Sequence, residues 1–73
     1  MAIDKRLGFL GFGNMGRAIA GGLIERETMR PEHLAAFDVD DAKRAAAQAM
    51  GMRVADSAGA LAEASDALLV AVK

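Results

Sequence analysis

Residues Leu7 to Gly16 read LGFLGFGNMG, a short apolar run that breaks into three glycines and continues into the helix-like stretch Arg17 to Arg26. Few architectures accommodate a strand that turns directly into a helix, and each glycine has a part in it. Gly11 permits the tight bend, Gly13 lets the backbone approach a ligand closely, and Gly16 lets the helix pack against the strand. The first amides of such a helix have no intrahelical partner, and with the positive end of the helix dipole they favour an anion above the turn. A diphosphate suits that position.

A lone GxGxxG recurs in many unrelated chains, so its surroundings decide its meaning. Here a second apolar run, Leu34-Ala35-Ala36-Phe37, ends in Asp38, about 20 residues beyond Gly16, where a dinucleotide fold places the acid that holds the adenosine ribose. The residues therefore read as a dinucleotide-binding fingerprint, against the plainer reading of a structural turn with a turn-forming acid after the strand.

The rest of the chain extends the pattern. Met15, Ala18, Ile19, Gly22 and Leu23 recur at helical spacing and predict one apolar face. Gly21-Gly22 weakens that helix, as expected where backbone lies close to a sheet. Thr28-Met29-Arg30-Pro31 ends it. A strand over roughly His33 to Phe37 follows. Asp40 or Asp41 can cap a second helix whose Ala42, Ala45, Ala46, Ala49 and Met50 follow the three-four rhythm, with Gly51 as its stop. Met52-Arg53-Val54 is a short strand, and Ser57 can cap a brief helix through Ala64. Ala67 to Val72 is a continuous apolar run of the kind buried on both faces of a parallel sheet. The predicted order is β-α-β-α-β-α-β, an α/β class with right-handed crossovers.

Composition excludes several functions. Seventy-three residues with a net charge of −1 form at most one small domain, burying roughly 60% of its unfolded surface. The chain has no cysteine, hence no disulfide, thiolate metal site or thiol nucleophile. Phe9, Phe12 and Phe37 are its only aromatics and its bases are dispersed, so no nucleic-acid surface is present. The late apolar run is too short to span a bilayer. Lys5-Arg6 before LGFLGF imitates a secretory signal only faintly, because glycines and Asn14 interrupt it. A soluble cytoplasmic protein is expected. His33 stands beside Glu32 without companion ligands and reads as a solvent-facing residue, and Glu25, Arg26 and Glu27 read as a solvated helix end. No pair of groups suggests acid-base catalysis, so no catalytic or metal-binding residue is assigned.

LGFLGFGNMGRAIAGGLIER, PEHLAAFDVD and the terminal LLVAVK resemble pyrroline-5-carboxylate reductase over essentially all 73 residues. The resemblance implies a Rossmann-type parallel sheet and reduction of the cyclic imine 1-pyrroline-5-carboxylate to L-proline by hydride from NAD(P)H, chemistry that the cofactor carries. It also implies a C-terminal helical domain, absent here, that holds the substrate site and the dimer-forming helices. Residues 1–73 are then an N-terminal cofactor-binding part, truncated after the fourth strand, that binds without turning over, of a whole enzyme expected to be a homo-oligomer.

Carried onto this sequence, Leu10, Gly11, Phe12, Gly13, Asn14 and Met15 line the pyrophosphate, with Gly16 completing the fingerprint. Asp38 sits at the adenosine ribose, Ala71, Val72 and Lys73 lie beside the nicotinamide ribose, and Ser57 stands where the family often carries Asn near the adenine. Asp38 departs from the Ser, Thr or Asn common in the family. A carboxylate accepts from a free 2′-hydroxyl and repels a 2′-phosphate, so the residue favours NADH where the family favours NADPH. Lys43 and Arg44 would offset that repulsion if they reached the ribose, but an exposed helix start predicts that they are solvated. Met15 is expected to pack in the core with its amide toward ligand, and Asn14 is an alternative helix cap. The alternatives are another dehydrogenase of this fold, of β-hydroxyacid type, or a non-catalytic nucleotide-binding module. With no fifth strand beside it, the fourth strand would form an apolar edge prone to self-association.

Overall fold

The computed structural model describes residues 5–71. Val72 and Lys73, expected beside the nicotinamide ribose, lie outside them. Four strands alternate with three helices: β1 Leu7–Leu10, α1 Asn14–Glu25, β2 Leu34–Phe37, α2 Asp41–Ala49, β3 Arg53–Val54, α3 Ala58–Ala64 and β4 Ala67–Val70, with a 3₁₀ turn at Pro31–His33 before β2. All strand pairings are parallel and the order is β3-β2-β1-β4. This is the α/β, Rossmann-type sheet expected from the alternation of strands and helices.

That order carries a functional consequence. The chain winds from β1 through β2 to β3 on one side, then crosses to place β4 on the other side of β1. The reversal lies at β1, and open α/β sheets bind ligands outside the carboxyl ends of the strands at such a reversal. Leu10 is level with both Phe37 and Val70, so three strands end together at the same rim.

Phe9, Phe12, Ala20, Met29, Leu34, Ala36, Ala47 and Met52 form the buried core between the sheet and the first two helices. The rings of Phe9 and Phe12 meet edge to face, with centroids 5.9 Å apart, a favoured aromatic geometry. Gly8, on the opposite side of β1, lies under Leu61, Ser65 and Leu68, and an added Cβ would collide with the Ser65 hydroxyl. Leu61 of α3 is fully buried there.

Helix ends follow local chemistry. Asp40 caps α2, its carboxylate accepting from the Ala42 amide at 2.9 Å, and Ser57 caps α3 by accepting from the Ala60 amide at 3.0 Å. α2 stops at a left-handed Gly51 with φ 84°, the Met52 amide donating to the Ala47 carbonyl and the Gly51 amide to Gln48. That pairing is a Schellman closure. α1 closes in the same way earlier than expected, at Glu25: Thr28 donates to Leu23 and Glu27 to Ile24, with Glu27 itself left-handed at φ 57°. Pro31 is not the stop.

Four expectations about packing are corrected. Met15 is 66% exposed; the covered face of α1 runs through Gly16, Ala20, Leu23 and Ile24. The face of α2 centres on Ala47 with Ala46 and Met50, leaving Ala42, Ala45 and Ala49 exposed, because a row of alanines offers several equivalent stripes. A Cβ at Gly22 would meet nothing within 4 Å, so that glycine marks no close approach to the sheet. In β4 only Leu69 is half-buried while Leu68 and Val70 are exposed, because no described element covers the strand's outer edge.

Candidate functional site

β1 delivers its chain end to the rim, where Gly11 turns it at φ 90°, a conformation costly for any residue with a Cβ. The Gly11 amide donates to the Phe37 carbonyl at 2.8 Å, stitching the turn to β2. Phe12 points its ring down into the core and is fully buried. Only its backbone is left to face the rim. The chain then enters α1 at Gly13, the N-cap, whose carbonyl accepts from the Arg17 amide at 3.0 Å.

Gly13 supplies no side-chain cap, and no acid stands in the first turn of α1. The amides that head the helix therefore retain their attraction for an anion. A Cβ at Gly13 would meet nothing within 4 Å; the space above it belongs to a pocket of about 760 Å³, within the roughly 300–1,000 Å³ of small-molecule sites. Beneath the turn, a Cβ on Gly16 would stand 3.2 Å from the Gly11 carbonyl oxygen, so the helix packs against its own turn there.

Asp38 joins the second strand to this turn. One carboxylate oxygen accepts from the Phe12 amide at 2.8 Å and the other from the Asp40 amide at 2.9 Å. The Asp38 carboxyl is held below the usual aspartate range, chiefly by the Phe12 amide and then by Asp40, with Lys43 and Arg44 adding to the effect and partial burial opposing it. It is an anion at neutral pH. The turn-forming reading of this acid is therefore realised, and the same side chain also lines the pocket.

The pocket wall comprises Gly11, Phe12, Gly13, Asn14, Met15 and Asp38 among the expected residues, with Ala71 across from them. The Ala71 amide donates to the Leu10 carbonyl at 2.9 Å, which fixes the end of β4 beside the turn. Leu10 and Gly16 stand behind the wall, outside the lining. Asn14 is the first residue of α1 and not its cap. Ser57 is committed to capping α3 and does not line this pocket.

Three lining residues were not among the expected ones: Arg17, Lys43 and Val70. Arg17 directly follows the last glycine, and Val70 directly precedes Ala71. Lys43 is exposed as a solvated base would be, yet it borders the pocket from the first turn of α2. Strand register brings Val70 level with Leu10 at the rim, while Arg17 arrives on the first turn of α1 and Lys43 on that of α2. Arg44 is not solvated: its guanidinium is half-buried, donates to the Asp38 carbonyl and pairs with Asp41. Among the described residues no group of three or more His, Cys, Asp or Glu could hold a metal, and no helix is long and apolar enough to cross a membrane.

The arrangement suits a ligand that carries an anion for the amides of α1 and hydroxyls for Asp38. Comparison with known proteins agrees with that chemistry. The family described as "NADP oxidoreductase coenzyme F420-dependent" matches residues 6–73. The chain is 38% identical over 72 residues to the pyrroline-5-carboxylate reductase of Escherichia coli (strain K12), covering 97% of this chain and 27% of that protein. It is 41% identical over 71 residues to the enzyme of that name from Aquifex aeolicus (97% and 26%) and 35% identical over 71 residues to that from Methanosarcina acetivorans (96% and 26%). The chain spans about a quarter of the length of these curated relatives.

Proposed function

Since the chain belongs to the family described as NADP oxidoreductase coenzyme F420-dependent, an NAD(P)-dependent oxidoreductase family, we propose that it is the N-terminal dinucleotide-binding part of a pyrroline-5-carboxylate reductase. The whole enzyme would reduce 1-pyrroline-5-carboxylate to L-proline with hydride from the nicotinamide, and its substrate site and dimer-forming helices belong to a C-terminal helical domain beyond these residues. It would act as a cytoplasmic homo-oligomer. The 73-residue chain binds the cofactor without turning substrate over.

One observation supports this reading above the others: the uncapped start of α1, with a side-chain-free Gly13 facing the pocket, stands beside an ionised Asp38. In this assignment the backbone from Gly11 to Met15 receives the pyrophosphate, with Leu10 and Gly16 supporting the turn from behind. Asp38 accepts from the adenosine ribose hydroxyls. Ala71, with Val72 and Lys73 after it, borders the nicotinamide ribose.

The cofactor is NADH. A 2′-phosphate would have to sit against the Asp38 carboxylate, whose charge is fixed by two amides, whereas Lys43 is exposed and its attraction is screened by solvent and salt. Parallel calorimetric titrations with NADH and NADPH test both halves of the reading. NADH is expected to bind at least about tenfold tighter; tighter NADPH would overturn the cofactor assignment, and binding of neither would overturn the dinucleotide reading.

A further inference from the structure

The glycine turn has almost nothing of its own with which to hold its shape. Gly11 and Gly13 have no side chains, and the position that a Cβ of Gly13 would take is open space. Three anchors fix the segment. The Phe12 ring is buried against Phe9, the Gly11 amide is held by the Phe37 carbonyl, and the Phe12 amide is held by the Asp38 carboxylate. Two of the three come from consecutive residues at the end of β2, and Asp38 is the only side chain among those two.

We propose that Asp38 is a positioning residue that couples the two halves of the ligand site, because the carboxylate that faces the ribose region also holds the backbone of the anion-binding turn. This rests on the dinucleotide reading above. An ionised carboxylate offers about four acceptor directions. The amides of Phe12 and Asp40 use one on each oxygen, which leaves one on each for a ribose hydroxyl. Arg44, donating to the Asp38 carbonyl and paired with Asp41, braces the same residue from behind. A ribose that grips Asp38 therefore orders the carboxylate which in turn orders the Gly11–Phe12 peptide, and by linkage an anion bound at the turn orders Asp38 for the ribose.

The sign of one measurement separates this role from plain electrostatics. Inorganic pyrophosphate has no ribose, and removing a nearby carboxylate removes a like charge. Electrostatics alone predicts that both Asp38→Ala and Asp38→Asn tighten pyrophosphate binding. Positioning predicts that Asp38→Ala weakens it about fivefold or more, while Asp38→Asn restores it to the native level or better, since its carboxamide oxygen still accepts from the Phe12 amide.

The native chain supplies the second test, for the case in which the alanine variant does not fold. Saturating adenosine is expected to lower the Kd for pyrophosphate about fivefold, read by calorimetry or by the amide shifts of Phe12 and Gly13. Pyrophosphate bound independently of adenosine, or tightened by Asp38→Ala, would overturn the coupling while leaving the dinucleotide reading intact. A native chain that binds neither NADH nor pyrophosphate would overturn that reading, and the coupling with it.

Discussion

At the start of α2 the chain satisfies its own helix: Asp40 caps it and Asp41 adds a second negative charge in the first turn. At the start of α1 the corresponding position is Gly13, with no cap and no acid in the first turn. A side-chain cap contributes about 1 kcal/mol and a first-turn acid about 0.3–1 kcal/mol. α1 forgoes both, and its open end is the one that faces the pocket. The two helices close alike, by the same pair of carbonyl contacts, but with Gly51 in the left-handed position of one and Glu27 in that of the other. The start of α2 and the closes of both helices satisfy themselves, while the start of α1 leaves its attraction for an anion to a ligand.

Giving α1 the start that α2 has should produce the largest effect. Gly13 has φ −80°, which an ordinary residue accepts, so Gly13→Asp is expected to keep the fold and gain about 1 kcal/mol in urea unfolding. The same carboxylate would occupy the anion site, and NADH affinity should fall about a hundredfold by calorimetry. An undiminished affinity would mean that the start of α1 is not where the ligand's charge sits.

Smaller changes sharpen the contrast between the helix ends. Gly51→Ala places a Cβ at φ 84° and 3.2 Å from Pro31 Cβ, and should cost about 1–2 kcal/mol in the unfolding midpoint. Asp40→Ala should cost about 1 kcal/mol, showing what α2 gains from the cap that α1 lacks. Glu27→Gly should do the reverse at the close of α1, raising stability by about 0.5–1 kcal/mol because its left-handed backbone then carries no Cβ penalty.

The smallest expected effect is one of pH. The Asp38 carboxyl is held below its ordinary value by the Phe12 amide first and the Asp40 amide second. Its contribution is therefore complete above the unfolded aspartate value and is lost as pH falls through the lower folded one. Denaturation measured across that acid window should show a shallower loss of stability for Asp38→Asn than for the native chain. Equal slopes would mean that the two amide bonds do not hold the folded carboxylate differently from the unfolded one.

Much of this was legible in the sequence because the signals are local. The turn glycines, the Asp40 and Ser57 caps, the Gly51 stop and the order of elements each depend on a few adjacent residues. The errors came where local pattern underdetermines packing. Met15 has the composition of a core residue, but it stands one position before Gly16 on the helix and so faces the pocket. Alanines from Ala45 to Ala47 give no preference among neighbouring stripes, and the buried face fell on Ala47. Glu27 hid the close of α1, since a left-handed glutamate has no composition signal. Arg17 follows the last glycine of the turn directly, whereas Val70 reaches the site through strand register and Lys43 through the placement of α2, both long-range properties. Asp38 was found by spacing, but its hold on Phe12 required the geometry.

The most direct test is an NADH titration of the isotope-labelled chain, followed amide by amide in nuclear magnetic resonance. The account predicts that the largest shifts fall on the backbone from Phe12 to Gly16 and on Asp38 to Asp40, with the capped start of α3 unmoved. Shifts confined to the opposite side of α1, where Ala18, Ile19, Leu23 and Thr28 line a second, shallower groove, or no shifts at all, would contradict it.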